Sequence, residues 1–204
     1  MNDEGVAVPS VYIVDDDPAI RKAMEFLMRS VGLEHAIFHS GDAFLAQYTS
    51  DMAGCLVLDI RMPGLGGLEL QQKLVDIGST LPIIFITGHG DVPMAVEAMQ
   101  KGAVDFIQKP FRDQDLLDRI GEAMAADRDR RSERQKQHDV AERVAQLTHR
   151  EKEVLDLVVT GKPNKVIAYE LGVSQRTVEI HRARVMEKME ARSLADLVRM
   201  FMMI

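Results

Sequence analysis

The chain has 204 residues, 46% of them hydrophobic, and a net charge of −7. That is enough for two modest domains or one large one, and no apolar run nears the roughly 18 residues of a membrane span. Cys55 is the single cysteine, which excludes an internal disulfide, and Met1-Asn2-Asp3-Glu4 lacks the basic-then-apolar order of a signal peptide. These features predict a cytoplasmic protein. The charge is shared unevenly: residues 1–124 hold 9 Lys+Arg against 19 Asp+Glu, and residues 125–204 hold 16 against 13. An acidic half followed by a mildly basic one points to different partners, with nucleic acid the candidate for the second.

Val11-Tyr12-Ile13-Val14 is a strand-like run that stops at Asp15-Asp16-Asp17-Pro18. Pro18 suits the first position of a helix and Asp17 its N-cap, with Ile20, Met24, Leu27 and Met28 at helical spacing up to Gly32. Capping accounts for one acid of the three. Asp15 and Asp16 remain at the strand end as an oxygen cluster of the kind a hard cation needs. A weaker strand follows over 35–38 and a short helix over 40–48. Cys55-Leu56-Val57-Leu58 runs unbroken into Asp59 and the Pro63-Gly64 turn, the pattern of a strand buried on both faces. Next come a helix over about 68–77 and a strand over 83–86 ending in Thr87-Gly88. A helix capped by Asp91 carries Val92, Val96 and Met99, and a strand over 104–107 ends in Gln108-Lys109-Pro110. Strands alternating with helices predict βαβ units in a parallel sheet, and right-handed crossovers bring the strand ends to one edge.

Asp15-Asp16, Asp59, Thr87 and Lys109-Pro110, each closing a strand, resemble the receiver domain of two-component response regulators over roughly residues 8–124. The resemblance implies a (βα)5 doubly wound parallel sheet of flavodoxin-like form, with Asp59 accepting a phosphoryl group from a phosphohistidine. It implies Mg²⁺ or Mn²⁺ held by Asp15, Asp16, Asp59 and the backbone carbonyl of Arg61. Lys109 supplies a second positive charge, Thr87 a hydroxyl donor, and Phe106 the switch aromatic coupled to the threonine. The first acids also read as the Asp-x-Asp nucleophile motif of haloacid-dehalogenase-like hydrolases. Pro18 stands where that family prefers Thr or Val, no acidic pair ends a strand after Lys109, and Asp59 is left without a role. An enzyme of that kind is rejected.

A fifth helix over 112–124, with Asp113 as its cap, closes the first domain, 1–124. No Gly or Pro occurs between Glu122 and Arg150, and the mixed charges predict a solvated helical connector over 125–143. Thr148-His149-Arg150-Glu151 is a capping box that opens a helix ended by Gly161. Asn164 caps a second, stopped by Gly172; Ser174 caps a third over about 175–189; Ser193 caps a fourth. Four short capped helices over 144–204 predict a small all-α domain containing a helix-turn-helix. Thr148-x-Arg150-Glu151, Asn164-Lys165-x-Ile167-Ala168 and Arg176-Thr177-Val178-Glu179-x-His181-Arg182 closely resemble the LuxR-type DNA-binding domain. With a receiver in front, the resemblance is to the NarL/FixJ family, nearest the FixJ side. Helix geometry turns Val178, Val185 and Met189 inward and leaves Arg176, Glu179, Ile180 and Ala183 for base edges. Thr177, Lys165, Arg184 and Lys188 flank that face and reach phosphates.

The expected function is that of a phosphorylation-dependent transcription regulator, an activator by resemblance, supplied by a sensor histidine kinase. It binds double-stranded promoter DNA as a homodimer, with RNA polymerase as a further partner and no membrane involved. The pairing face carries Val92, Val96, Val104 and Phe106 beside Lys101 and Asp105. The alternative keeps the fold but makes the dimer constitutive and DNA binding independent of phosphorylation.

Overall fold

Five strands, β1 (Ser10–Val14), β2 (His35–Phe38), β3 (Gly54–Asp59), β4 (Ile83–Thr87) and β5 (Asp105–Gln108), pair in parallel in the order β2-β1-β3-β4-β5. The structure, a computed structural model, describes residues 8–88 and 92–203. Every residue of β3 is buried, as its unbroken apolar run requires of a central parallel strand. Side chains alternate across the sheet and build two cores. Val11, Ile13, Cys55, Val57, Ile84 and Ile86 face α1 (Pro18–Ser30) and α5 (Asp113–Ala145) through Met24, Met28, Leu116 and Ile120. Tyr12, Val14, Leu56, Leu58 and Phe85 face α2 (Gly41–Leu45), α3 (Gly67–Asp76) and α4 (Val92–Gln100) through Phe44, Leu70, Leu74 and Ala98. The strand order changes direction between β1 and β3, so the crevice at that switch point opens at the carboxyl ends of the strands.

Local signals set most boundaries. Asp17 accepts from the Ala19 N–H and Pro18 is the first residue of α1; Ser40 caps α2 through the Ala43 N–H. Three expectations shift. The helix expected over 40–48 stops at Leu45, because the Gln47 and Tyr48 N–H groups turn back to Phe44 and Leu45. β5 begins at Asp105 rather than Val104, whose N–H bonds Ile83. Asp113 is the first residue of α5 rather than its cap, and the Arg112 carbonyl accepts the first helical bonds. The cap expected at Asp91 lies outside the described residues.

The chain divides into two compact units, Met1–Arg130 and Arg131–Ile204, and α5 passes that division as one helix of 33 residues. The expected solvated connector is not solvated throughout, since Asp127 is only 2% exposed. In the second unit α6 (His149–Val159), α7 (Asn164–Leu171), α8 (Gln175–Lys188) and α9 (Leu194–Phe201) enclose Val154, Val158, Ile167, Val178, Val185 and Leu197. Thr148 and Glu151 form the capping box of α6, Ser174 and Ser193 cap α8 and α9, and Gly172 ends α7 in the left-handed conformation. Asn164 is not the cap of α7. Pro163 holds that position, and the Asn164 side-chain Oδ1 accepts from Arg182 Nη1 at 2.9 Å instead.

Candidate functional site

The carboxyl ends of β1, β3, β4 and β5 gather Asp15, Asp59, Thr87 and Lys109 at one edge of the sheet. Lys109 Nζ lies 2.9 Å from Asp15 Oδ2 and 2.6 Å from Asp59 Oδ1, tying two buried carboxylates from different strands to one ammonium. The remaining oxygens are held by backbone: Asp15 Oδ1 accepts from the Asp17 N–H and Asp59 Oδ2 from the Arg61 N–H, both at 2.8 Å. Arg21 of α1 donates to the Asp15 carbonyl at 2.8 Å, and sequence reasoning had given it no part. Thr87 is buried, and its hydroxyl donates to the Gly88 carbonyl at 2.9 Å rather than to the acids. Phe106 is half-buried opposite Phe85 and packs on the core below. Gly67 lets α3 start against this edge, because a Cβ there would stand 2.3 Å from the Asp59 carbonyl oxygen.

Burial pushes the Asp59 carboxyl above its ordinary value, although its hydrogen bond and ion pair with Lys109 act the other way. Burial also pulls the Lys109 ammonium down, but its bonds to Asp59 and Asp15 outweigh that and hold it above its ordinary value. Two carboxylates against one ammonium leave the edge negative, and every candidate donor is a hard oxygen, a set that fits a divalent cation such as Mg²⁺ or Mn²⁺. Asp16 is exposed, and among the described residues no three acid, histidine or cysteine side chains stand together at metal-holding distance.

In the second unit, the outer face of α8 presents Arg176, Glu179, Ile180, Ala183 and Arg184 to solvent, while Val178, Val185 and Met189 are buried. Arg176 and Glu179 pair with each other at 3.3 Å. Lys165 on α7 is exposed, and Thr177 is half-buried where its N–H meets the Ser174 cap. Lys188 is engaged elsewhere: its Nζ lies 2.6 Å from Glu151 Oε2 and 3.3 Å from the Gln146 carbonyl. That bond and the Thr148 N–H bring the Glu151 carboxyl down to about 2. On the proposed pairing face, Val96 is 50% and Val104 41% exposed. Lys101 pairs with Glu97 and Asp105 with Arg119; nothing is described of the Val92 side chain.

Residues 11–121 match the response regulator receiver domain, and residues 145–201 match the bacterial regulatory proteins of the luxR family. Nodulation protein W of Bradyrhizobium diazoefficiens is 50% identical over 190 residues, spanning 93% of this chain and 84% of that protein. Transcriptional regulatory protein FixJ of Rhizobium meliloti is 48% identical over 195 residues, spanning 94% of each. The solved structure of response regulator StyR superposes with a TM-score of 0.90 at 44% identity, over 97% of this chain and 100% of that one. An acid-lined strand edge followed by a helix-turn-helix is thus a two-component response regulator that ends in a LuxR-type DNA-binding domain. Within that class the chain belongs to the NarL/FixJ family of transcription regulators. FixJ is a transcriptional regulatory protein and StyR a response regulator, and no described helix is long and apolar enough to cross a membrane.

Proposed function

We propose that the protein takes a phosphoryl group on Asp59 from the phosphohistidine of a sensor histidine kinase and, so modified, pairs with a second copy to bind promoter DNA. The observation that carries this reading is the Lys109 ammonium shared between Asp15 and Asp59 at the end of a fully buried strand. An Asp59 oxygen attacks phosphorus, the P–N bond breaks, and its electron pair leaves with the imidazole, which takes up a proton. Lys109 moves from the two carboxylates to the transferred phosphoryl oxygens, and Thr87 turns from the Gly88 carbonyl to donate to them. A divalent cation held by Asp15, Asp16, Asp59 and the Arg61 carbonyl supplies further positive charge there when bound. Phe106 follows Thr87, which alters the face formed by α4 and β5. Arg176, Glu179, Ile180 and Ala183 then read base edges in the major groove, and Lys165, Thr177 and Arg184 hold phosphates, while Lys188 stays with Glu151. Recruitment of RNA polymerase completes activation.

Acetyl phosphate and Mg²⁺ added to the full chain should add one phosphoryl group by intact mass, and Asp59→Asn should add none. Undiminished uptake by that variant, or uptake that survives chelation, sinks the acceptor or the metal assignment respectively.

A further inference from the structure

The side of α5 that faces the sheet does not end where its apolar residues end. Leu116, Ile120 and Ala123 are buried there, and the same spacing reaches Asp127 and then Arg130. Both lie beyond the residues that match the receiver family, 11–121. Asp127 is a buried carboxylate whose Oδ2 accepts from the Gly54 N–H at 2.9 Å. Arg130 donates Nη1 to the Thr80 carbonyl at 2.5 Å. Gly54 is the first residue of β3, and Thr80 sits in the loop that leads into β4. These are the two strands whose opposite ends carry Asp59 and Thr87.

We propose that Asp127 and Arg130 are positioning residues of the receiver, which grip the starts of β3 and β4 and couple the phosphoryl pocket to the extension of α5. This rests on Asp59 being the phosphoacceptor. β3 is hydrogen-bonded on both sides, to β1 and to β4, so it moves as a unit over the roughly 16 Å from Gly54 to Asp59, at about 3.3 Å per residue. A shift of β3 or β4 at the pocket is therefore felt at the grip, and a loosened grip frees the strand starts. Gly54 itself leaves no slack. Its φ is +118°, and a Cβ there would stand 2.0 Å from the Ser10 carbonyl oxygen. Its N–H is thereby fixed in direction toward α5.

The chain carries its own reporter. Cys55 adjoins Gly54, is fully buried under α1 and α5, and burial, with the Asp127 charge, pushes its thiol up to about 12. Alkylation of Cys55 in the folded full-length protein therefore requires the start of β3 to open. Iodoacetamide labelling followed by intact mass should be faster by about tenfold or more in Asp127→Ala. Asp127→Asn keeps an acceptor for the Gly54 N–H and should label close to the natural rate; Arg130→Ala should fall between. Beryllofluoride, as the phosphoryl mimic, should slow labelling of the natural protein and of Asp127→Asn but leave Asp127→Ala unchanged. Equal labelling of Asp127→Ala and the natural chain overturns the grip. Faster labelling that beryllofluoride still slows as in the natural chain overturns the coupling. Failure of Asp59 to take up phosphate is seen separately by mass and leaves the grip to be judged on the labelling alone.

Discussion

Glu151 divides one carboxylate oxygen between the Thr148 N–H at the start of α6 and the Lys188 ammonium at the end of α8. The capping box alone would leave this acid at a solvated helix end; the lysine makes it a cross-link between two helices of the DNA-binding unit. A carboxyl held near 2 in the folded chain, against an ordinary 4.5, binds fewer protons folded than unfolded. Its contribution is complete above 4.5 and is lost as pH falls toward about 2. Glu151→Gln should therefore lower stability by about 1–3 kcal/mol at neutral pH. In urea unfolding, its difference from the natural chain should close across that acid window; a constant difference would show that the pair does not titrate with folding. Lys188→Ala should act in the same way, with most of its effect on unfolding. Arg184, exposed and without such a commitment among the described residues, should when changed to Ala weaken all DNA sequences alike and reduce the salt slope by about one. An equal salt-slope loss in both variants would mean that Lys188 leaves Glu151 for phosphate on binding.

At the scale of elements, α4 and β5 present the apolar surface best placed to answer the phosphoryl pocket. Val96 and Val104 are exposed while Ala95 and Ala98 are buried, so this face does not belong to the core. The charges around it are already paired, Lys101 with Glu97 and Asp105 with Arg119, so on the proposed reading a second copy would meet an apolar centre within a neutralised rim. Val96→Glu should leave Asp59 uptake intact and keep the phosphorylated protein monomeric by light scattering; a dimer of unchanged strength would move the pairing face elsewhere. The elements themselves were legible where one signal dominated. Unbroken apolar runs that stop at Asp15, Asp59 and Thr87 located β1, β3 and β4, and with them most of the pocket. Asn164 was expected to cap α7, but its side-chain Oδ1 is taken by Arg182, 18 residues later, and Pro163 stands at the cap. Asp127 was hidden because it opens the charged run Asp127-Arg128-Asp129-Arg130-Arg131; only its position four residues after Ala123 continues the buried stripe. The turn of the Thr87 hydroxyl toward Gly88 is a rotamer, and residue order does not encode it.

For the whole molecule, the unequal charges bear on how DNA is held. The last 80 residues, 125–204, carry a net of only +3, and residues 1–124 carry −10. One helix-turn-helix with so small an excess gains little from counterion release, and the acidic half opposes approach to any polyanion. Two copies joined through their receivers convert the second binding event into an intramolecular one, which can raise affinity by about 10²–10⁴ without new contacts. The phosphoryl group then needs only to shift the monomer–dimer balance by a few kcal/mol. Light scattering with and without beryllofluoride should show monomer passing to dimer at micromolar protein. DNA binding measured on one half-site and on two should tighten with the mimic only for the paired site. A dimer of equal DNA affinity in both states would establish the constitutive alternative. A monomer throughout, with tighter binding to a single half-site, would place the switch within one chain, and the grip of Asp127 and Arg130 on the starts of β3 and β4 would then be the first route to examine for it.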